Sequence, residues 1–368
     1  MKKICLFFAI LSISLLLNSQ YVGIYSLAED EKIQSFYIDY NGNISLGNII
    51  NVGVFPDRMA ISSNGLVIIL NTGYYPPNYL TISVIKIYSN GNVIKVRDVD
   101  LGGRGYEVNI SEDDKYAFVT HEVLFEEDQF DVGVSVLKLS ENDVILPSVQ
   151  YLSLEYDLGI GFGWSAFSNK NIFIGVYTTT AYIFDFDENN FLTYTNNSLN
   201  IGHGAKPDAE FTPDGKRCLI SSLDHDLWVL DVDEQNNVSI WGTVETELEG
   251  PRDIAITPNS RLVLQVMTSY PDGVAVYRNN EDRTIDFKSE ITGILNPWVM
   301  AMTPDGKYAT VIYNPSSIQS YMTILKINGD ETVERLPDKD VVIGPIANAV
   351  VLYKLPETSV NEIWDMYK

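Results

Sequence analysis

The chain has 368 residues, 45% of them apolar, and a formal net charge of −24. That length allows one large domain or two smaller ones, with apolar residues enough for a sizeable core. A surface this acidic repels nucleic acid and anionic membrane, argues against both as partners, and disfavours self-association, so a monomer is expected.

The chain opens "MKKICLFFAILSISLLLNSQ". Lys2 and Lys3 give a basic start, and Ile4 to Leu17 form an apolar run too short for a comfortable membrane span. Residues 1–28 therefore read as a secretory signal peptide, with cleavage after Ser19 or after Ala28. The expected location is outside the cytoplasm: secreted, periplasmic or in the cell envelope, with no membrane insertion after cleavage. Cys5 and Cys218 are the two cysteines. Loss of the leader leaves Cys218 alone, so no internal disulfide can form.

Beyond the leader the sequence repeats. "FPDRMAISSNGLVIIL" begins at Phe55, "RGYEVNISEDDKYAFV" at Arg104, "FGWSAFSNKNIFIGV" at Phe162 and "KPDAEFTPDGKRCLI" at Lys206. "GPRDIAITPNSRLVLQVM" and "NPWVMAMTPDGKYATVIY" follow from Gly250 and Asn296, and "GPIANAVVLYKL" from Gly344 is a degraded copy. The repeating hydroxyl falls at Ser62, Ser111, Ser168, Thr212, Thr257 and Thr303, with Val351 in its place in the last copy; the steps are 49, 57, 44, 45, 46 and 48 residues. Each unit reads as four short strands separated by polar turns, the period of a propeller blade. Apolar runs such as "LVIIL" do not alternate, as expected of strands covered on both faces. The all-β fold predicted is a seven-bladed propeller over residues 29–356. The C-terminal "NAVVLYKL" supplies the inner strand of the closing blade, and "SFYIDYNGNISLGNIINV" its third and fourth. The second strand of that blade is not assigned. Residues 357–368 read as a short helix or a loose end.

These repeats resemble the YVTN-type repeat (WD40-like in its blade period) and the lactonase-type seven-bladed propeller family, over about residues 33–356. The strongest echoes are the segments at Lys206, Gly250 and Asn296. The resemblance implies a propeller fold and, for the enzymes of the family, opening of cyclic esters of sugar acids, as in 6-phosphogluconolactonase-like hydrolases. Those enzymes often show Gly-Pro-Arg-His where this chain has Gly250-Pro251-Arg252-Asp253, so only Arg252 carries over. Other relatives serve as binding or surface proteins.

In propellers the loops entering the innermost strands surround one mouth of the central channel, where ligands commonly bind. That places Asp57, Arg58, Arg104, Tyr106, Glu107, Phe162, Trp164, His203, Lys206, Asp208, Glu210, Arg252, Asp253, Trp298 and Asn348 together. Arg58, Arg104 and Arg252 have the fork geometry to hold a carboxylate or phosphate, with Lys206 as a fourth cation. Trp164 and Trp298 offer faces for a sugar or acyl group. Glu107, Asp208 and Asp253 either help bind or pair with the cations and plug the channel.

The expected function is a binding or interaction protein for a small anionic or sugar-acid ligand at the mouth, or for a protein partner elsewhere. The alternative is a lactone hydrolase with His203 as base and Arg252 as oxyanion partner. His121 and His225 are placed toward strand ends, where histidines are usually solvated. The three histidines lack zinc spacing. The "DFDENN" and "DVDEQNN" segments lack the glycine and closing glutamate of a calcium loop and read as hairpin turns. No metal or cofactor is expected. Cys218 reads as a small core residue.

Overall fold

In the computed structural model, the residues described are 19–73, 81–126, 129–154, 163–177, 179–202, 208–223, 226–245, 249–269, 272–316 and 318–356. They form seven antiparallel sheets, each with four strands in line from the axis outward, and the seventh carries a fifth strand paired to its third. Blade 1 holds β1 (Ser19–Leu27), β2 (Lys32–Asp39) and β3 (Ile44–Asn51). Blade 2 holds β4 (Pro56–Ile61), β5 (Leu66–Asn71), β6 (Ile82–Ile87) and β7 (Val93–Val99). Blade 3 holds β8 (Gly105–Ile110), β9 (Tyr116–Glu126), β10 (Gln129–Leu139) and β11 (Val144–Ser153). Blade 4 holds β12 (Trp164–Phe167), β13 (Ile172–Tyr177), β14 (Thr180–Asp187) and β15 (Phe191–Asn200). Blade 5 holds β16 (Asp208–Phe211), β17 (Arg217–Ser221), β18 (Asp226–Val232) and β19 (Val238–Glu245). Blade 6 holds β20 (Glu249–Ile256), β21 (Leu262–Ser269), β22 (Gly273–Asn279) and β23 (Ile285–Thr292). Blade 7 holds β24 (Pro297–Met302), β25 (Tyr308–Ser316), β26 (Gln319–Ile327) and β27 (Val333–Arg335), with β28 (Val341–Gly344) on the same β26 edge. The chain returns to blade 1 as its inner strand, β29 (Val350–Lys354).

The inner strands touch in a closed cycle: β29, β4, β8, β12, β16, β20, β24 and back to β29. The expected seven-bladed ring is therefore present. The conserved geometry of each turn explains the repeating hydroxyl. Ser62, Ser111, Thr212, Thr257 and Thr303 each accept a hydrogen bond from the backbone N–H that begins the next strand, at 2.8–3.1 Å. Each also donates to the Asp or Asn two residues on. That side-chain cap satisfies groups the ladder leaves unpaired. Gly306 ends one such turn at φ +69°, a conformation that favours glycine.

Packing follows from the ring. Every residue of β5 and β6 is buried, whereas outer strands such as β23 are mostly exposed. The apolar core is divided into seven clusters, one between each pair of neighbouring blades. No blade shields both of its own faces, so removing one exposes two clusters.

The unassigned second strand of blade 1 is β1. It pairs with β2 along its length and with β29 from Tyr21↔Lys354 to Tyr25↔Val350. Tyr21, Val22, Ile24 and Tyr25 are fully buried. The two ends of the chain thus share one ladder, and the ring has no open edge there. Cleavage after Ser19 leaves β1 in place; cleavage after Ala28 removes it. Residues 1–18 and 357–368, and with them the leader and the tail, lie outside the described residues. Among the described residues no helix is long and apolar enough to cross a membrane.

Candidate functional site

Four inner strands carry a β-bulge at the same place, near their start: between Pro56 and Arg58, Gly105 and Glu107, Pro251 and Ile254, and Pro297 and Val299. A bulge adds a residue on one side and re-aims side chains. Pro56 and Pro297, at the first position of their strands, and Pro251, at its bulge, need no ladder N–H there. The result is a cavity of about 220 Å³ on the propeller axis, lined in part by Arg58, Glu107, Asn109, Asp208, Glu210, Asp253 and Asn348. Arg58, Glu107, Asp208 and Asp253 all stand four residues before the repeating hydroxyl, so the repeat delivers them to one level. Trp164 holds the same register position and is partly exposed at the start of β12.

The walls are stitched from blade to blade. Asp208 Oδ2 accepts from the Ile254 N–H at 2.8 Å, and Asp253 Oδ2 from the Met300 N–H at 2.5 Å. Asn109 Nδ2 donates to Ser165 Oγ at 2.8 Å and to its carbonyl at 3.1 Å. Glu107 accepts from the Val108 N–H at 3.0 Å and lies 3.5 Å from Arg58 Nε. Four carboxyl groups thus face one guanidinium.

Burial is the first cause of their titration. It pushes Glu107 up to about 7 against the pull of Arg58, with Asp208 adding to the rise. Asp208 is pushed up to about 6, opposed by the Ile254 N–H and by Arg58. Glu210 and Asp253 go well above the usual carboxylate range, through burial and then through the charge of Asp208. Arg58, held among Glu107, Asp57, Asp208 and Asp253, keeps its charge more firmly than a free arginine despite burial. The floor of the channel therefore holds protons near neutral pH.

Arg252 lies directly over the Trp298 ring, its guanidinium carbon 3.2 Å from the ring centroid. No described carboxylate lies within 4 Å of it. Burial, and then the nearby charge of Arg58, lower its proton affinity. Arg104 is held within its own blade. Its guanidinium is 2.8 Å from Glu122 and also donates to Tyr106 Oη, which in turn donates to Glu122. That binds it to the second strand of its own blade. Of the three arginines expected to cradle an anion, Arg58 is paired with Glu107, Arg104 with Glu122, and Arg252 keeps its hydrogen-bonding edge uncommitted among the described residues.

His203 and Lys206 lie outside the described residues, as do Phe162 and His225. Asn109 and Ser165 were missed from sequence, although Asn109 follows Glu107 by two residues and so shares its face, as Glu210 does with Asp208. His121 differs from expectation. It is fully buried within β9, because the β9–β10 hairpin runs well past Thr120 into blade 3. Cys218 is buried in β17. Asp187 and Asp233 cap the β14–β15 and β18–β19 turns with backbone bonds of 2.7–2.8 Å, as hairpin turns should. Among the described residues no group of three or more His, Cys, Asp or Glu is arranged to hold a metal ion.

No protein-family model and no curated protein matches the chain. Solved structures do. A putative 6-phosphogluconolactonase from Bacteroides uniformis superposes with a TM-score of 0.74 at 14% identity, over 91% of this chain and 99% of that one. The periplasmic gluconolactonase of Pseudomonas aeruginosa gives 0.73 at 12%, over 92% and 99%. A functionally unknown protein from Desulfotomaculum acetoxidans gives 0.68 at 18%, over 88% and 99%. The fold is that of the 6-phosphogluconolactonase-like seven-bladed propellers.

Proposed function

We propose that this protein binds a small sugar acid, or the lactone formed from one, at the mouth of the axial channel. The observation that carries the reading is Arg252, fixed over Trp298 beside the channel and without a described carboxylate partner. Such a guanidinium is set to receive a carboxylate or a polarised carbonyl oxygen. The channel floor is acidic, so the charged end of the ligand stays at Arg252 and its hydroxyls turn inward. Protonated carboxyls donate to hydroxyl oxygens and ionised ones accept from hydroxyl hydrogens, which suits a polyol. The cavity is smaller than the roughly 300–1,000 Å³ of sites for drug-sized molecules, which favours a small ligand.

Glu107 and Asp208 favour a second reading, lactone hydrolysis. Carboxyl groups that titrate near 7 and 6 can take and return a proton at neutral pH. Arg252 would then steady the developing oxyanion. On either reading the protein acts outside the cytoplasm after removal of its leader, as a monomer. The basic-then-apolar start of the chain supports that placement.

Calorimetric titration with gluconate and with glucono-δ-lactone at pH 7, followed by assay of the lactone for acid release, tests both readings. Saturable heat is expected, weakened roughly 10- to 100-fold in Arg252→Ala, the loss of one charge-assisted contact. Absence of binding by both compounds, or equal affinity in the variant, would reject the site. Acid release above the spontaneous rate would select the hydrolase.

A further inference from the structure

We propose a second reactive site on blade 3: Ser135 and His121 form a nucleophile–base pair that cleaves small carboxylic esters in the cleft beside blade 2. The argument begins with two hydrogen bonds. His121 Nε2 lies 2.8 Å from Ser135 Oγ, and His121 Nδ1 lies 2.8 Å from the backbone carbonyl oxygen of Glu122. A carbonyl only accepts, so Nδ1 must carry the proton. Nε2 then presents a lone pair, and the Ser135 hydroxyl must donate to it. This is the tautomer a general base needs, with the carbonyl in the orienting role that a carboxylate fills in other nucleophile–base–orienter sets.

The strand register places the parts. His121 on β9 pairs with Gly133 on β10, and Asp131, Gly133 and Ser135 alternate onto one face. Any side chain at Gly133 would collide with the Tyr151 ring, so the glycine lets that ring close over the site. The Tyr151 and His121 ring centroids are 5.5 Å apart. Tyr151 Oη donates to Asp131 Oδ2 at 3.1 Å, while Asp131 Oδ1 has no hydrogen-bond partner among the described residues although the residue is only 4% exposed. That carboxylate supplies negative charge near the imidazole, where positive charge develops in the reaction.

Ser135, itself 3% exposed, lines the inner end of a cleft of about 650 Å³ walled by Leu101, Val123, Leu146 and Pro147. The apolar walls suit a short acyl chain. Burial keeps His121 uncharged, pushing it down to about 4 against the opposing pull of the Glu122 carbonyl, Asp100 and Asp131. The imidazole is therefore uncharged, with its Nε2 lone pair free of a proton, across the neutral range.

In the step proposed, Ser135 Oγ bonds to the ester carbonyl carbon as its proton passes to His121 Nε2. The carbonyl π pair moves onto oxygen, then returns as the bond to the alcohol oxygen breaks. The departing oxygen takes the proton from Nε2, leaving acyl-Ser135. Water repeats the sequence, its proton passing through Nε2, and restores the serine hydroxyl. Ester and water give acid and alcohol, with no other reactant.

The test is labelling of the folded full chain with a fluorophosphonate, read by intact mass and peptide mapping, alongside hydrolysis of p-nitrophenyl acetate. One adduct on Ser135 is expected. Labelling should be level from pH 6 to 8 and fall as His121 gains a proton near pH 4. Ser135→Ala should lose the adduct and at least tenfold of the ester rate. No adduct on folded wild-type protein, or an adduct mapped to another residue, would overturn the proposal, and neither result depends on the variant folding.

Discussion

Glu107 and Arg252 stand near the start of the inner strands of blades 3 and 6, yet their surroundings set them to opposite tasks. Glu107 is paired with Arg58 and still titrates near 7, because burial outweighs the pairing. Its proton is held more tightly in the folded than in the unfolded chain, so folding is favoured below its ordinary value of 4.5 and that contribution is lost as pH rises through 7. A shift of this size is worth on the order of 3 kcal/mol. Wild-type protein should therefore lose melting temperature between pH 5 and pH 8, and Glu107→Gln, which cannot ionise, should lose less. Parallel curves for the two proteins, followed by differential scanning calorimetry, would contradict the assignment. At this scale the sequence told which residues meet and not how they pair. Arg104 and Arg252 look alike beside an inner strand, and only the fold shows Glu122 within reach of one and Trp298 beneath the other.

The strands were legible wherever a turn signal repeated. Thr-Pro-Asp-Gly at Thr303 and its counterparts mark a side-chain cap whose hydrogen bonds are formed within five residues, so a local pattern suffices to read them. β1 escaped because its apolar residues continue the run of the leader, and its partners β2 and β29 include one from the far end of the chain. Its burial carries a direct prediction. A chain beginning at Gln20 should fold, whereas one beginning at Glu29 lacks the strand that joins β29 to β2 and should be insoluble or melt at least 15 °C lower. Equal melting of the two by circular dichroism would mean that β1 is dispensable to closure. His121 was misplaced for a related reason: the polar pair His121-Glu122 interrupts the apolar run of β9, but the strand continues because β10 supplies a ladder opposite.

At the scale of the molecule, stacking seven blades converts one repeated position into a ring of converging side chains. Arg58, Glu107, Asp208 and Asp253 are separated by tens of residues in sequence and line one cavity because each occupies the same place in its blade. The acidic character of the whole chain reappears there in concentrated form, and the axis tolerates it by holding protons and by bonding carboxylates to the backbone of the next blade. Fold and axial convergence were thus readable from the period alone, while the chemistry of the axis depends on burial, which no period encodes. Soaking crystals with gluconate and locating its carboxylate by difference density tests the central claim most directly. The account expects that carboxylate against the Arg252 guanidinium at the channel mouth, with hydroxyls toward Glu107 and Asp208. Density elsewhere on the propeller at saturating gluconate, with the mouth holding water alone, would contradict it.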